Sequence, residues 1–315
     1  MDDVRLATAA NEVPVFFDAK NETAFGIVTK PTVEPNGTAV VFLLGTSRLP
    51  STSRNRFYVR MTRRLAARGY YTARFDYHGV GESTGFLKGY GADPQFGYEF
   101  EAVVRWFEQR EINDIVVIGA SFGARLGLIA VGEVEKLKGI VCMAPWLSEV
   151  SAADAEREWV EFWREDKREI LKRLLKGLGD PRSRYRYRRF VAGKFRVLRT
   201  RITNRLRGRT RTKDEWVSNL FLQHLSRAVD HKVPLQFVFG RDEIYLERFE
   251  QAKSGRLGEI LQSAGDLIQV DAVPGLVHSL LQLEAQDGCI EAVESWLDRL
   301  ENVSLHPASD TQSTH

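Results

Sequence analysis

The sequence predicts an α/β fold, a doubly wound and mostly parallel sheet interrupted by a helical insertion. Three observations carry this. Short apolar runs of strand length recur along the chain, and helical periodicity fills most intervals between them. One run, 38–44 (TAVVFLL), is apolar without a break, as a strand buried on both faces requires. From about 147 to 228 the strand signal stops and charged, helix-prone sequence takes over before strands resume.

In chain order, 13–18 and 23–29 read as an antiparallel pair joined by Lys20, Asn21 and Glu22. After the strand 38–44, a helix over 56–68 places Phe57, Met61 and Leu65 on one stripe and stops at Gly69. A strand over 71–77 runs into a glycine-rich loop, and 97–109 forms a helix with Phe100, Val103, Val104 and Phe107 on its buried side. A strand at 115–119, a helix over about 121–134 and a strand at 139–143 follow. The sheet resumes at 235–239 and ends at 267–273, and an amphipathic helix over 290–300 closes it. The expected organisation is a sheet domain of 1–146 and 229–302, a helical and basic insertion over 147–228, and a disordered tail over 303–315.

A chain of 315 residues with 43% hydrophobic and 28% charged residues has the balance of a globular protein with a sizeable core. No apolar run approaches the ~20 residues a membrane helix needs. The acidic start lacks a signal-peptide core, so a cytoplasmic location is expected. Cys142 and Cys289 lie in apolar or helical patterns, and two scattered cysteines fit a reducing compartment, although a bridge between them is not ruled out by sequence. The net charge of +3 hides an asymmetry: 182–213 holds fourteen Lys or Arg and no acid, which leaves −11 on the rest.

Gly119-Ala120-Ser121-Phe122-Gly123 is a G-x-S-x-G motif between a buried strand and an apolar helix. In that setting the serine occupies a strained turn at a helix N-terminus, where backbone N–H groups face a developing oxyanion. A nucleophilic serine needs a base and an acid to orient that base, in the order Ser, acid, His for this strand arrangement. Asp242 stands just beyond the strand 235–239 and is the candidate acid. Glu243 takes that role if the strand runs one residue longer. His278 follows the last strand and is the candidate base, expected to titrate near ~6.5 and to be raised by its carboxylate partner. His78, in the loop after the 71–77 strand, is read as shaping the site. His224, His231, His306 and His315 stand elsewhere. The Phe122 N–H and one from Thr46 are the candidate oxyanion donors. Trp146, ending a strand beside the nucleophile's, lines the pocket or packs at a domain seam.

The stretch 38–130 and the two later segments resemble the α/β-hydrolase superfamily, particularly its serine-aminopeptidase-like and lysophospholipase-like esterase branch. The stretch from Arg74 to Ser83 (RFDYHGVGES) is similar to that branch's R-F-D-x-x-G-x-G-x-S signature. The resemblance implies a covalent acyl-enzyme and cleavage of esters, thioesters or amides, with Asp76 and Ser83 holding their loop together. Many relatives carry His-Gly at the oxyanion loop, where this chain has Leu44-Gly45, which alters the loop's polar support.

Other classes fit less well. Gly79-Val80-Gly81 is not followed by the third glycine of a dinucleotide loop. No cofactor is implied, and no Cys or His cluster suggests a metal. The basic segment interleaves Tyr185, Tyr187, Phe190 and Phe195 with its cations, but no nucleic-acid-binding signature accompanies them and the acidic body would repel phosphate. Arg184, Arg186, Arg188 and Arg189 are candidate contacts for an anionic acyl donor, an acidic carrier protein or an anionic lipid surface. A plain solvated cap is the competing reading. An acyltransferase using the same triad and a non-catalytic binding member of the fold remain as alternatives to a hydrolase.

Overall fold

The computed structural model describes residues 11–45, 49–86, 97–148 and 217–305. The chain opens with an antiparallel hairpin, β1 (Asn11–Ala19) and β2 (Glu22–Lys30), which joins the sheet through antiparallel pairing of β2 with β4 (Tyr71–Phe75). Every later pairing is parallel. β3 (Thr38–Leu43) lies between β4 and β5 (Asp114–Ala120), followed outward by β6 (Leu137–Met143), β7 (Leu235–Gly240) and β8 (Ile268–Val273). The sheet thus has eight strands in the order 1-2-4-3-5-6-7-8. All of β3 and β7 is buried, which explains why neither shows the alternating pattern of a strand with one wet face.

Helices cover the sheet in two groups. α1 (Phe57–Ala66) packs on β2 and β4 and against the C-terminal helix. α2 (Gly97–Glu108) packs on β1 and β3, and α3 (Phe122–Ile129) on β3, β5 and β6. α4 (Asn219–Asp230) lies on α3, α5 (Ile244–Ala252) on β7, and α6 (Arg256–Ala264) on α4 and α5. α7 (Leu283–Leu305) packs on β7, β8 and α1. Apolar side chains at helical spacing drive this: Phe57, Met61 and Leu65 of α1 are fully buried, as expected from the sequence. No described helix is long and apolar enough to cross a membrane. Cys142 and Cys289 are free and buried.

A ladder of charges joins α1 to α7. Arg60 meets Asp287 at 2.6 Å, and Arg64 grips Glu294 with two bonds of 2.8 and 2.7 Å. Arg68 meets Asp298, and the Tyr70 hydroxyl meets Glu301. Partly exposed pairs of this kind contribute roughly 0.2–1 kcal/mol each.

Two boundaries differ from the sequence reading. α4 begins within the span expected for the insertion, 147–228, yet Phe221, Leu225 and Ala228 are fully buried and the helix belongs to the sheet-bearing unit, Met1–Glu149 with Val217–His315. Its apolar stripe packs on α3, and its N-cap Ser218 accepts the Phe221 N–H at 3.2 Å. The second unit, Val150–Trp216, lies outside the described residues. α7 begins earlier than expected and runs to Leu305, so 303–305 are helical where a tail was expected, and 306–315 lie outside the described residues.

The roots of the second unit lie side by side. Arg125 of α3, only 2% exposed, donates to the Ser148 carbonyl at 2.7 Å and to Ser218 Oγ at 3.4 Å, while the Ser218 N–H reaches the Leu147 carbonyl at 2.7 Å. A guanidinium spreads its charge over several donors, which suits it to join two strands of chain through oxygen atoms.

Candidate active site

Ser121 stands between β5 and α3 with φ 47° and ψ −107°, a left-handed conformation that costs a non-glycine residue roughly 1–3 kcal/mol. The surrounding structure holds it there: the Ser121 N–H donates to the Met143 carbonyl at 2.8 Å. The flanking glycines are a steric requirement. A Cβ on Gly119 would lie 2.3 Å from the Gly123 carbonyl oxygen, and one on Gly123 would lie 2.3 Å from that of Leu43.

His278 occupies the loop after β8, and its Nε2 is 3.2 Å from Ser121 Oγ. Two residues 157 positions apart in sequence are thus brought within hydrogen-bonding reach. Burial pushes the imidazole down to about 4, with the positive charge of Arg54 adding to the effect. The sequence expectation was a rise caused by the carboxylate partner; burial of the ring reverses the direction.

The acid loop resolves into two different carboxylates. β7 extends to Gly240, one residue beyond the expected end, so Asp242 lies exposed in the following turn and Glu243 turns inward, 7% exposed. Glu243 Oε2 accepts the backbone N–H of His278 at 2.9 Å, and its Oε1 accepts that of Gly240 at 2.8 Å. Burial lifts this carboxyl to about 7, against backbone donors at His278, Gly240 and Val277 that favour its charged form. Gly240 permits the approach of the two loops, since a Cβ there would lie 2.1 Å from the Gly275 carbonyl oxygen.

The loop carrying His278 is held from across the site. A short turn, Arg54–Arg56, reaches it with Arg54 Nη1 on the Ser279 carbonyl at 3.3 Å and Asn55 Nδ2 on that of Leu281 at 2.9 Å. Ser53, Asn55, Arg56 and, opposite them, Leu280 all have positive φ, so strained backbone gathers at this junction. Tyr245, two residues beyond Glu243, stacks on the His278 ring with centroids 4.4 Å apart. None of these contacts has a sequence signature, because each depends on loops distant in the chain.

The remaining candidates are placed as follows. The Phe122 N–H heads α3 and makes a long bond, 3.4 Å, to the Gly45 carbonyl. Thr46 lies outside the described residues, as do Arg184, Arg186, Arg188 and Arg189. Trp146 is half-buried just past β6, and its indole Nε1 is buried with no hydrogen-bond partner among the described residues. His78 is paired through Nδ1 with buried Glu99 at 2.5 Å, and the neighbouring Tyr77 ring meets Phe122 edge-on. Asp76 accepts the Ser51 N–H at 2.5 Å and Ser83 Oγ donates to the Asp76 carbonyl at 2.7 Å, so both serve to tie their loop.

Solved structures share this architecture at low identity. An esterase of Pyrococcus furiosus superposes with a TM-score of 0.59 at 18% identity, covering 94% of this chain and 93% of its own. A proline iminopeptidase of Mycobacterium smegmatis gives 0.54 at 17%, with 93% and 100% covered. A serine hydrolase of Xanthomonas campestris described as lacking a lid gives 0.53 at 14%, with 91% and 94% covered. No curated protein matches the sequence. The family model for serine aminopeptidases matches residues 51–285, well over half the chain and a span that contains both Ser121 and His278. The chain therefore belongs to the serine aminopeptidase family of α/β-hydrolases.

Proposed function

We propose that this protein cleaves a carboxylic ester or thioester through an acyl-enzyme on Ser121, with His278 as general base. The observation that carries the reading is the 3.2 Å approach of His278 Nε2 to Ser121 Oγ on a left-handed turn at a helix N-terminus. Ser121 Oγ attacks the acyl carbon as its proton passes to Nε2, and the imidazolium returns that proton to the departing alkoxide or thiolate. Water, deprotonated by the same nitrogen, then releases the acid. The negative oxygen of each tetrahedral intermediate takes the Phe122 N–H, replacing its long bond to Gly45 with a shorter, charge-assisted one. Glu243, rather than Asp242, is the acid of this reading, because its carboxylate is the one bonded to the histidine's loop. Thr46 is retained as the second oxyanion donor and Trp146 as a wall of the acyl pocket.

Names among the structural neighbours, an esterase and a proline iminopeptidase, support hydrolysis of acyl derivatives. The fourteen uncompensated cations of 182–213 support an anionic acyl donor or an acidic carrier. The test is labelling by a fluorophosphonate, followed by turnover of a neutral short-chain ester, a thioester and an aminoacyl amide. Wild type should label and turn over the first two, and Ser121→Ala should do neither. A labelled enzyme that cleaves only the amide assigns the chemistry to peptides, and an unlabelled wild type leaves a binding protein.

A further inference from the structure

We propose that Tyr245 is a positioning residue for the general base, its ring stacked on the His278 imidazole so as to fix the plane of that ring and favour the imidazolium it becomes. The inference rests on the reading of His278 as base and deepens it.

The rings lie 4.4 Å apart between centroids at 28°, a stacked contact just closer than the ~4.5–7 Å usual for aromatic pairs. Tyr245 is 9% exposed and sits in the first turn of α5, two residues from the inward-facing Glu243. One short segment therefore supplies both a carboxylate to the backbone of the His278 loop and an aromatic face to its ring. This division matters because the Glu243 bonds hold main chain, at the His278 N–H, and leave the imidazole free to turn about its own side-chain torsions. The aromatic face removes that freedom. Displacement of a reacting group by 1 Å costs a reaction about 10²-fold, so a ring held flat against a buried neighbour is a kinetic asset.

Electrostatics point the same way. When the Ser121 proton reaches Nε2, a positive charge appears in a buried site. The turn at Arg54–Arg56 brings the Arg54 guanidinium, which opposes that charge, and the turn after β7 brings Glu243, whose carboxyl bonds the His278 main chain. α7 contributes the neutral thiol side chain of Cys289, which faces Glu243, and α3 is preceded by Ser121 itself. Among the described residues, the negative face of the Tyr245 ring lies directly against the imidazole and favours that charge. An aliphatic side chain would fill the same space and provide none of this, and contacts between a cation and an aromatic face change rates by about twofold when exposed and about thirtyfold when desolvated.

The experiment compares Tyr245→Leu and Tyr245→Phe in the full chain, with kcat and KM for an activated short-chain ester normalised to folded protein. His278 titration is followed separately by its imidazole NMR resonance. Tyr245→Leu should lose between about twofold and about thirtyfold in kcat with KM little changed, and the His278 midpoint should fall. Tyr245→Phe, which keeps the ring, should recover to within about threefold of wild type. If the leucine variant does not fold, Tyr245→Met takes its place with the same expectation. A wild-type kcat and an unmoved midpoint in the aliphatic variant overturn the proposal, as do equal losses in the leucine and phenylalanine variants, which would place the role on the hydroxyl. Turnover by Ser121→Ala would instead overturn the catalytic reading itself, so the two failures are distinguishable.

Discussion

Replacing Glu243 by Gln separates the role proposed for this carboxyl group from the cost of burying it. Glu243 titrates at about 7 in the native protein against an ordinary value of 4.5, because burial outweighs its backbone donors. A carboxyl raised in this way binds its proton more tightly when folded. Its contribution to stability is therefore present below pH 4.5 and is lost as pH rises through 7, by up to about 3 kcal/mol. Between pH 5 and pH 8.5 the loss comes to about 2–3 kcal/mol. The amide in Glu243→Gln would carry no such dependence, but it has one acceptor oxygen where the carboxyl group, protonated or ionised, offers two, for the N–H groups of Gly240 and His278. Leaving one of them unpaired costs about 1–3 kcal/mol at any pH. Glu243→Gln should therefore unfold more readily than wild type in urea at pH 5, and the gap should close or invert by pH 8.5. In the wild type, kcat/KM should climb with a midpoint near 7 as Glu243 ionises, since His278, at about 4, is already neutral there. The variant should lose kcat, but by less than the roughly 10⁴-fold seen when a carboxylate bonded to the base's ring nitrogen becomes an amide, because Glu243 bonds the His278 main chain. Asp242→Asn, at an exposed site, should change stability by less than ~0.5 kcal/mol and leave kcat intact. A stability gap that does not move with pH, or an Asp242→Asn variant more damaged in kcat than Glu243→Gln, would refute the reasoning.

Two further outcomes are expected. Arg54→Gln removes a cation that disfavours the imidazolium, so the His278 midpoint should rise from about 4, as read from its imidazole NMR resonance; an unchanged or lower midpoint would count against the Arg54 effect. If the basic segment attracts an anionic acyl donor, KM for a phosphate-bearing thioester should climb with salt as the Debye length shrinks from ~10 Å at 0.1 M to ~3 Å at 1 M, and climb likewise when Arg184, Arg186, Arg188 and Arg189 become Gln, while a neutral ester responds to neither.

How much of this was legible in the sequence follows from the range of each interaction. The turn at Ser121 was readable because its requirements are local: a strand before, a helix after, and two glycines whose neighbours leave no room for a Cβ. That His278 would stand close to Ser121 was readable from its place after the last strand. Which carboxylate faces the His278 loop depended on where β7 ends, and with one additional paired residue at Gly240 Asp242 lies outward and Glu243 inward. Periodicity fixes which strands exist more firmly than where they stop. α4 escaped assignment to the sheet unit because its sequence continues the helix-prone run that begins near 147, and its membership shows only in the burial of Phe221 and Leu225. The lowered titration of His278, the turn at Arg54 and the stacking of Tyr245 arise from burial and from segments far apart in the chain, which no local pattern encodes.

The ladder between α1 and α7 bears on the order in which this protein becomes reactive. Its bonds join residues 226 to 231 positions apart, and they hold the two helices whose leading ends carry the Arg54 turn and the His278 loop. Ser121, its elbow and the strands beside it are complete in the growing chain long before Asp287, Glu294, Asp298 and Glu301 have been made. Throughout that interval Ser121 stands without the contacts that hold α7 and, ahead of it, the His278 loop. Contacts of such long sequence separation also close late, because the loop entropy they must overcome is large. On the reading proposed above, Ser121 becomes reactive only once α7 has docked and the His278 loop with it, so a half-folded chain carries an inert hydroxyl.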